Sequence, residues 1–379
     1  MPCSNTEKGI NYRIANATAA FVHSCAQGTD ETLEINIRFT QCPFHHHLFP
    51  SLYSTQIIFF LSVQHLTTTT TMTSLMNGWS FHPYPAFAPT LYPNTAFWNA
   101  TNPSKNVTYQ IQLSWPFSWG SSPSPSNFTT PGNKTALTMY VLDGNAYGTT
   151  AAEAWHRRPP PAATNPDGLV VSIGYPLTDS VYALTQRSID FSPPLPPSFP
   201  QPQTPPSGAD DFLAFISGTV RPWVRKRVFP SVTFKRDALY GHSFGGLFVV
   251  YALISKPEAF DTFLVASPSL YWNRGYILDE VSNRVESLHS NPAVVISYGD
   301  LEQFPVRRRK ETEAEFQARK SRISTRFNSS MTVQCHDLYD RIKGSPKLRD
   351  VVLKEYAGQE HTSVAASAIT DGVEYFVDW

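Results

Sequence analysis

Gly241-His242-Ser243-Phe244-Gly245-Gly246 sets one serine at the spacing Gly-x-Ser-x-Gly. An isolated match of this kind recurs by chance. Here the short apolar segment Ala238-Leu239-Tyr240 leads into it, and the apolar run Leu247 to Ile254 follows. Strand, sharp turn and helix, in that order, is the context that holds a serine out as a nucleophile. Gly241 and Gly245 are expected to spare the turn two Cβ clashes. The free amides at the start of the following helix favour a developing oxyanion. The competing reading, a glycine-rich turn with Ser243 as a helix cap, accounts for less of this context.

A serine hydroxyl is a weak nucleophile and needs a base. After a turn of this kind the chain order is serine, acid, histidine. His289, His336 and His361 follow Ser243. His289 precedes Ser290-Asn291-Pro292 and reads as a helix-end residue, and His336 lies in a polar stretch. His361 stands in Gly358-Gln359-Glu360-His361-Thr362-Ser363, just after the final strand, expected to be buried, and before the final helix. It is the expected base. The acid should leave an intermediate strand. Val294 to Tyr298 is that run, and Gly299-Asp300-Leu301-Glu302 is its exit, so Glu302 and Asp300 are both candidates. The triad logic alone does not choose between them. The oxyanion hole should pair the Phe244 amide with one from Asp143-Gly144-Asn145, taken as the Asn145 amide.

The elements that must position these groups read as an α/β fold with a mainly parallel central sheet, strands alternating with helices. Val107, Tyr109, Ile111, Leu113 and Trp115 alternate with polar residues, a half-buried strand. Ser118 to Asn133 reads as a hairpin loop. Ala136 to Leu142 and Leu169 to Gly174 are short apolar runs, as for buried strands. Phe191 to Pro206 carries eight prolines and is a long surface loop or cap. Phe212, Ile216, Val220 and Trp223 recur at helical spacing. Ala259 to Ala266, Ala293 to Tyr298 and Val351 to Tyr356 lead to further strands. Pro305 to Arg326 reads as a charged helix, with Arg307 to Lys310 neutralised by glutamates on the same helix. Ser363 to Phe376 is the last helix.

The chain has 379 residues, with 30 basic and 30 acidic side chains and 41% hydrophobic residues. That is ample for a large core. Zero net charge counts against nucleic acid, whose phosphates need clustered Lys and Arg. The charge is uneven: none falls between Phe39 and Ser104, and most follow Lys105. Residues 1–75 are expected to be a low-complexity, disordered extension, and residues 76–379 one domain. The extension holds His45-His46-His47, five threonines from Thr67, and three of the four cysteines. The His run lacks the paired spacing of a zinc site, so no metal is expected. Leu48 to Val63 is short for a membrane span and lacks a basic segment directly before it. No membrane role is expected. The domain's single cysteine, Cys335, favours a cytoplasmic location, with secretion the alternative if the apolar window acts in targeting. Six Asn-x-Ser/Thr sites, among them Asn99 and Asn133, matter only in that secreted case.

At these residues the chain resembles the enterochelin-esterase-like (siderophore esterase) branch of the α/β-hydrolases. The matching pieces, in order, are Tyr140–Asn145, Val171–Pro176, Arg187–Pro194, Ser207–Ile216, Gly241–Leu253, Ala266–Asn273, Ile296–Glu302 and Gly358–His361. The resemblance covers roughly residue 94 to the C-terminus. It implies an α/β-hydrolase fold, Ser243 as nucleophile, His361 as base, and Glu302 rather than Asp300 as acid. It implies hydrolysis of hydroxamate or catecholate siderophore esters without a cofactor, any iron belonging to the substrate. The Thr- and Pro-rich style fits a fungal chain, for which fusarinine-type hydroxamates are the natural esters. Arg187, Tyr271 and Trp272 are candidate substrate contacts, although Arg187 paired with Asp190, and core packing of the two aromatics, fit as well. Ser207-Gly208-Ala209-Asp210, the enlarged Pro-rich loop and Tyr271 depart from the usual pattern and leave the ester open. A general carboxylesterase, a feruloyl-type esterase or an acyltransferase keeps the fold with another substrate. A catalytically silent binding protein is the alternative of a different class. The expected partner is a small-molecule ester, a ferric siderophore among the candidates.

Overall fold

The computed structural model describes residues 74–83, 94–119, 134–158, 166–176, 180–199, 205–326 and 330–378. The His and Thr runs, the apolar window and Cys3, Cys25 and Cys42 lie outside them. The described residues all belong to one unit, Thr68–Trp379.

Among the described residues ten strands form one sheet: β1 (Ser74–Met76), β2 (Trp79–Pro83), β3 (Thr95–Asn102), β4 (Val107–Ser114), β5 (Lys134–Leu142), β6 (Asp167–Gly174), β7 (Val232–His242), β8 (Thr262–Ala266), β9 (Ala293–Gly299) and β10 (Asp350–Tyr356). Their order is β1-β2-β3-β4-β6-β5-β7-β8-β9-β10. The pairings are antiparallel from β1 to β6 and parallel from β6 to β10.

Alternation along β5 explains why the parallel part is apolar throughout. Leu137, Met139 and Val141 enter the core beneath α1 (Gly144–His156) and the C-terminal helix, while Ala136, Tyr140 and Leu142 enter the larger core on the other face. With a helical layer on each face, neither side of the strand meets water. Helices α2 (Leu184–Asp190) and α3 (Ala209–Phe215) follow β6. Phe212, Ile216, Val220 and Trp223 are buried as their spacing predicts. The helix beyond α3 runs through π-helical stretches Ile216–Val220 and Val224–Val228, separated by α4 (Arg221–Trp223). After β7 come α5 (Phe244–Ser255), α6 (Tyr276–Arg284), α7 (Glu313–Arg326), α8 (Met331–Ile342) and α9 (Val364–Val377).

Five readings need correction. Residues 120–133 of the predicted hairpin loop lie outside the described residues, and the strands on either side of them are not hairpin partners: β4 pairs with β6 and not with β5. β4 is not half-exposed: Gln110 and Gln112 are both buried, and Gln110 accepts a hydrogen bond from Asn145. β10 is an edge strand with no fully buried residue. Arg307 to Lys310 precede α7, so their glutamates are not helix neighbours; Arg308 instead pairs with Glu360. The polar stretch around His336 is a helix, α8, and His336 Nε2 lies 3.0 Å from the Tyr298 hydroxyl.

Candidate active site

β7 ends at His242 and α5 begins at Phe244, leaving Ser243 alone in the turn with φ 58° and ψ −116°. A residue with a Cβ pays conformational energy there, so its surroundings must impose the turn. The Ser243 amide donates to the Ala266 carbonyl at 2.9 Å, and its own carbonyl accepts the amides of Ser269 (2.9 Å) and Leu247 (3.1 Å). A Cβ on Gly241 would lie 2.3 Å from the Gly245 carbonyl oxygen, and one on Gly246 would lie 2.9 Å from the Ala266 carbonyl oxygen. A Cβ on Gly245 would meet nothing nearer than 3.6 Å. The steric demand therefore falls on Gly241 and Gly246, and the expectation for Gly245 is corrected.

The acid and histidine loops are fastened to each other. Leu301 donates its amide to the Gln359 carbonyl at 3.1 Å, and Gly358 donates to Asp300 Oδ1 at 2.8 Å. Asp300 thus joins the loops, and it is Glu302 whose Oε2 lies 2.5 Å from His361 Nδ1. Oε1 of Glu302 accepts the Ser267 hydroxyl at 2.6 Å and the Gly299 amide at 2.7 Å. Ser267 was missed in the sequence. The signal was positional: Ala266 is the register partner of Ser297, so the residue after Ala266 reaches the exit of β9.

Ser243 and His361 line one cavity of about 580 Å³, together with Phe244, Arg187, Tyr271 and Ser269. The Ser269 hydroxyl is 3.5 Å from that of Ser243. Phe244 is the first residue of α5, so its amide has no partner within the helix. Asn145 occupies the first turn of α1. Its side chain accepts the Tyr175 amide at 2.7 Å and donates to the Tyr175 carbonyl at 3.0 Å, which ties the loop to the end of β6.

Arg187 does not pair with Asp190. Its guanidinium forms two hydrogen bonds to Asp143, at 2.9 and 2.7 Å. Asp190 accepts instead from the Tyr175 hydroxyl and from Gln186, each at 3.0 Å. Burial pushes the Asp190 carboxyl up to about 6. The two aromatics separate: Tyr271 lines the cavity, whereas Trp272 packs against the main core. His242 is buried, its ring centroid 4.5 Å from that of His361 and its Nδ1 3.0 Å from the Tyr147 hydroxyl. Burial, and then the neighbouring His361, push the His242 pKa well below the ordinary histidine range.

Among the described residues no helix is long and apolar enough to cross a membrane. The family model described as "Putative esterase" matches residues 123–341. A "Siderophore enterobactin esterase" of Emericella nidulans is 38% identical over 311 residues, covering 79% of this chain and 98% of that relative. A "Siderophore triacetylfusarinine C esterase" of Aspergillus fumigatus is 36% identical over 304 residues, covering 77% of this chain and 96% of the relative. The solved structure "Siderophore hydrolase EstA from Aspergillus nidulans" superposes with a TM-score of 0.68 at 36% identity, covering 78% of this chain and 98% of that one. The mixed sheet, the strained serine turn between β7 and α5, and these likenesses agree: the chain belongs to the "Putative esterase" family and has the α/β-hydrolase fold.

Proposed function

We propose that the protein is a serine esterase that hydrolyses ester bonds of siderophores, with fusarinine-type hydroxamates as its substrates. The observation that carries this reading is the meeting of Ser243 with the His361–Glu302 pair at one cavity. Ser243 Oγ attacks the ester carbonyl, and His361 takes its proton while Glu302 stabilises the imidazolium. The amides of Phe244 and Asn145 hold the oxyanion. Collapse expels the alcohol, which takes the proton from His361. Water, deprotonated by His361, then attacks the acyl-enzyme and frees the acid. The iron of a loaded siderophore is substrate and takes no part in the bond cleavage.

The charge of the cavity supports a hydroxamate. Arg187 is the one Lys or Arg among the described residues lining it, and Asp143 neutralises it. Three hydroxamates cancel the charge of ferric iron, whereas a tris-catecholate complex keeps a large negative charge that this lining does nothing to attract. The names of the two fungal relatives support the siderophore reading more broadly. That relatives match 77 to 79% of this chain along almost their whole length supports an esterase domain of about residues 76–379, its sheet starting at Ser74, with the preceding residues an addition to it. The buried free Cys335 supports a reducing, cytoplasmic setting.

The test is mass spectrometry of products from iron-loaded and iron-free fusarinine-type esters, a catecholate ester and a short p-nitrophenyl ester. The expected result is preferred cleavage of the hydroxamate, abolished in Ser243→Ala. Full hydrolysis by Ser243→Ala would sink the mechanism. Preferred cleavage of the p-nitrophenyl ester would sink the substrate.

A further inference from the structure

We infer that Arg187 is a positioning residue that fixes both donors of the oxyanion hole, and not a contact for the substrate. The inference rests on the esterase reading above and deepens it.

Asp143 has a left-handed backbone, φ 50° and ψ 49°, directly before α1. Its carbonyl accepts the Ala146 and Tyr147 amides at 2.8 and 3.1 Å, so this one residue starts the helix and aims the amides of its first turn, Asn145 among them. An aspartate tolerates that conformation at an energetic cost, and something must hold it. Arg187 does so with Nε on Oδ1 and Nη2 on Oδ2. The side chains are buried, 12% and 1% exposed. The same guanidinium carbon lies 5.9 Å from the ring centroid of Phe244, the other donor residue. It also lies 5.5 Å from the Tyr182 ring and 5.3 Å from the Phe191 ring. The Asp143 carboxylate reaches α5 as well, since a Cβ on Gly245 would stand 3.6 Å from Oδ2. The pair therefore braces the N-terminal turns of α1 and α5 against each other. Two of the three guanidinium nitrogens are spent on Asp143, and the charge is neutralised there. A lysine keeps the charge but loses the planar fork and the ring stacking.

The experiment compares Arg187→Lys and Asp143→Asn with wild type in steady-state hydrolysis, in phenylboronic acid inhibition, and in fluorophosphonate labelling of Ser243. Circular dichroism and thermal melting monitor folding. Asp143 is not among the residues lining the cavity, so its variant cannot lose a substrate contact there. For both variants the expected kcat is down about 100-fold with KM within about threefold, as for a donor displaced by a fraction of an ångström. Affinity for the boronate, which forms a tetrahedral adduct, should fall in parallel with kcat/KM. A raised KM with unchanged kcat in Arg187→Lys, or a folded Asp143→Asn with full kcat, overturns the inference. If Arg187→Lys fails to fold, Asp143→Asn decides alone. A wild type that neither labels nor cleaves esters overturns the esterase reading, and this inference with it. A labelled, active wild type with an unimpaired Asp143→Asn overturns only the positioning role.

Discussion

Oε2 of Glu302 lies 2.5 Å from Nδ1 of His361, while Oε1 of the same carboxylate is held by Ser267 and the Gly299 amide. Fixing one oxygen aims the other. A carboxylate facing Nδ1 selects the tautomer that carries its proton there, which in the proposed mechanism leaves Nε2 to take the serine proton. Glu302→Gln keeps the shape but can present an N–H to Nδ1 and reverse that choice. Its kcat is expected to fall by about 1,000- to 10,000-fold. Asp300→Asn keeps an acceptor for the Gly358 amide. Its kcat should stay within about tenfold of wild type by contrast with the triad loss. Steady-state kinetics on one activated ester checks both, and a severe Asp300→Asn beside a mild Glu302→Gln would reverse the assignment of the acid.

Ser267→Ala tests how far the orientation of Glu302 depends on its second oxygen. The hydroxyl is the nearest partner of a buried carboxylate oxygen, and its removal leaves the Gly299 amide there. The expected loss of stability is about 1.5 to 3 kcal/mol, for one of two hydrogen bonds lost from a charged group. The expected kcat is down about tenfold with KM unchanged, because Ser267 is buried and does not line the cavity. Urea unfolding and kinetics together read it; a variant with full kcat shows that Gly299 alone suffices.

The serine turn makes a prediction that the motif pattern alone gets wrong. Gly246→Ala drives a Cβ to 2.9 Å from both the Ala266 carbonyl oxygen and Pro268 Cα. Both are backbone atoms that cannot swing aside, so the expected destabilisation is about 1 to 3 kcal/mol. Gly245→Ala has ordinary contacts and sits in a helix. Alanine gains up to about 1 kcal/mol there by helix propensity. Urea unfolding of the two variants should give opposite signs, and equal losses would return Gly245 to the role the spacing suggested.

Sequence legibility follows the range of the interaction. The strand, turn and helix around Ser243 were legible because they are adjacent in the sequence, and chain order narrowed the search to the two loops in which Glu302 meets His361. The run of β5 was legible because both of its faces are covered. Met331, Cys335, Leu338 and Ile342 carry α8's buried stripe at helical spacing, a signal hidden by the polar residues between them. Contacts set by sheet order were not legible. Ser267 and Glu302 are 35 residues apart, and Arg187 and Asp143 are 44 apart. Nothing local in either segment says that they meet. Gln110 read as solvent-facing because alternation records polarity, not the Asn145 amide that satisfies it.

Asp190 gives the fold a pH dependence of calculable sign. Burial raises its carboxyl from 3.8 to about 6, partly opposed by hydrogen bonds from Gln186, Tyr109 and Tyr175. The native state therefore binds this proton more tightly than the unfolded chain does. The stability it contributes is complete below about pH 4 and is lost as the pH rises through about 6. Asp190→Asn cannot ionise, so it escapes that loss. Relative to wild type, the variant should gain about 2 to 3 kcal/mol between pH 4 and pH 7.5, from the size of the shift. Urea unfolding of both proteins at the two pH values isolates this group, because every other titration is common to the pair. A difference that does not change with pH would mean that Asp190 ionises as it does in the unfolded chain, and that its hydrogen bonds fully offset its burial.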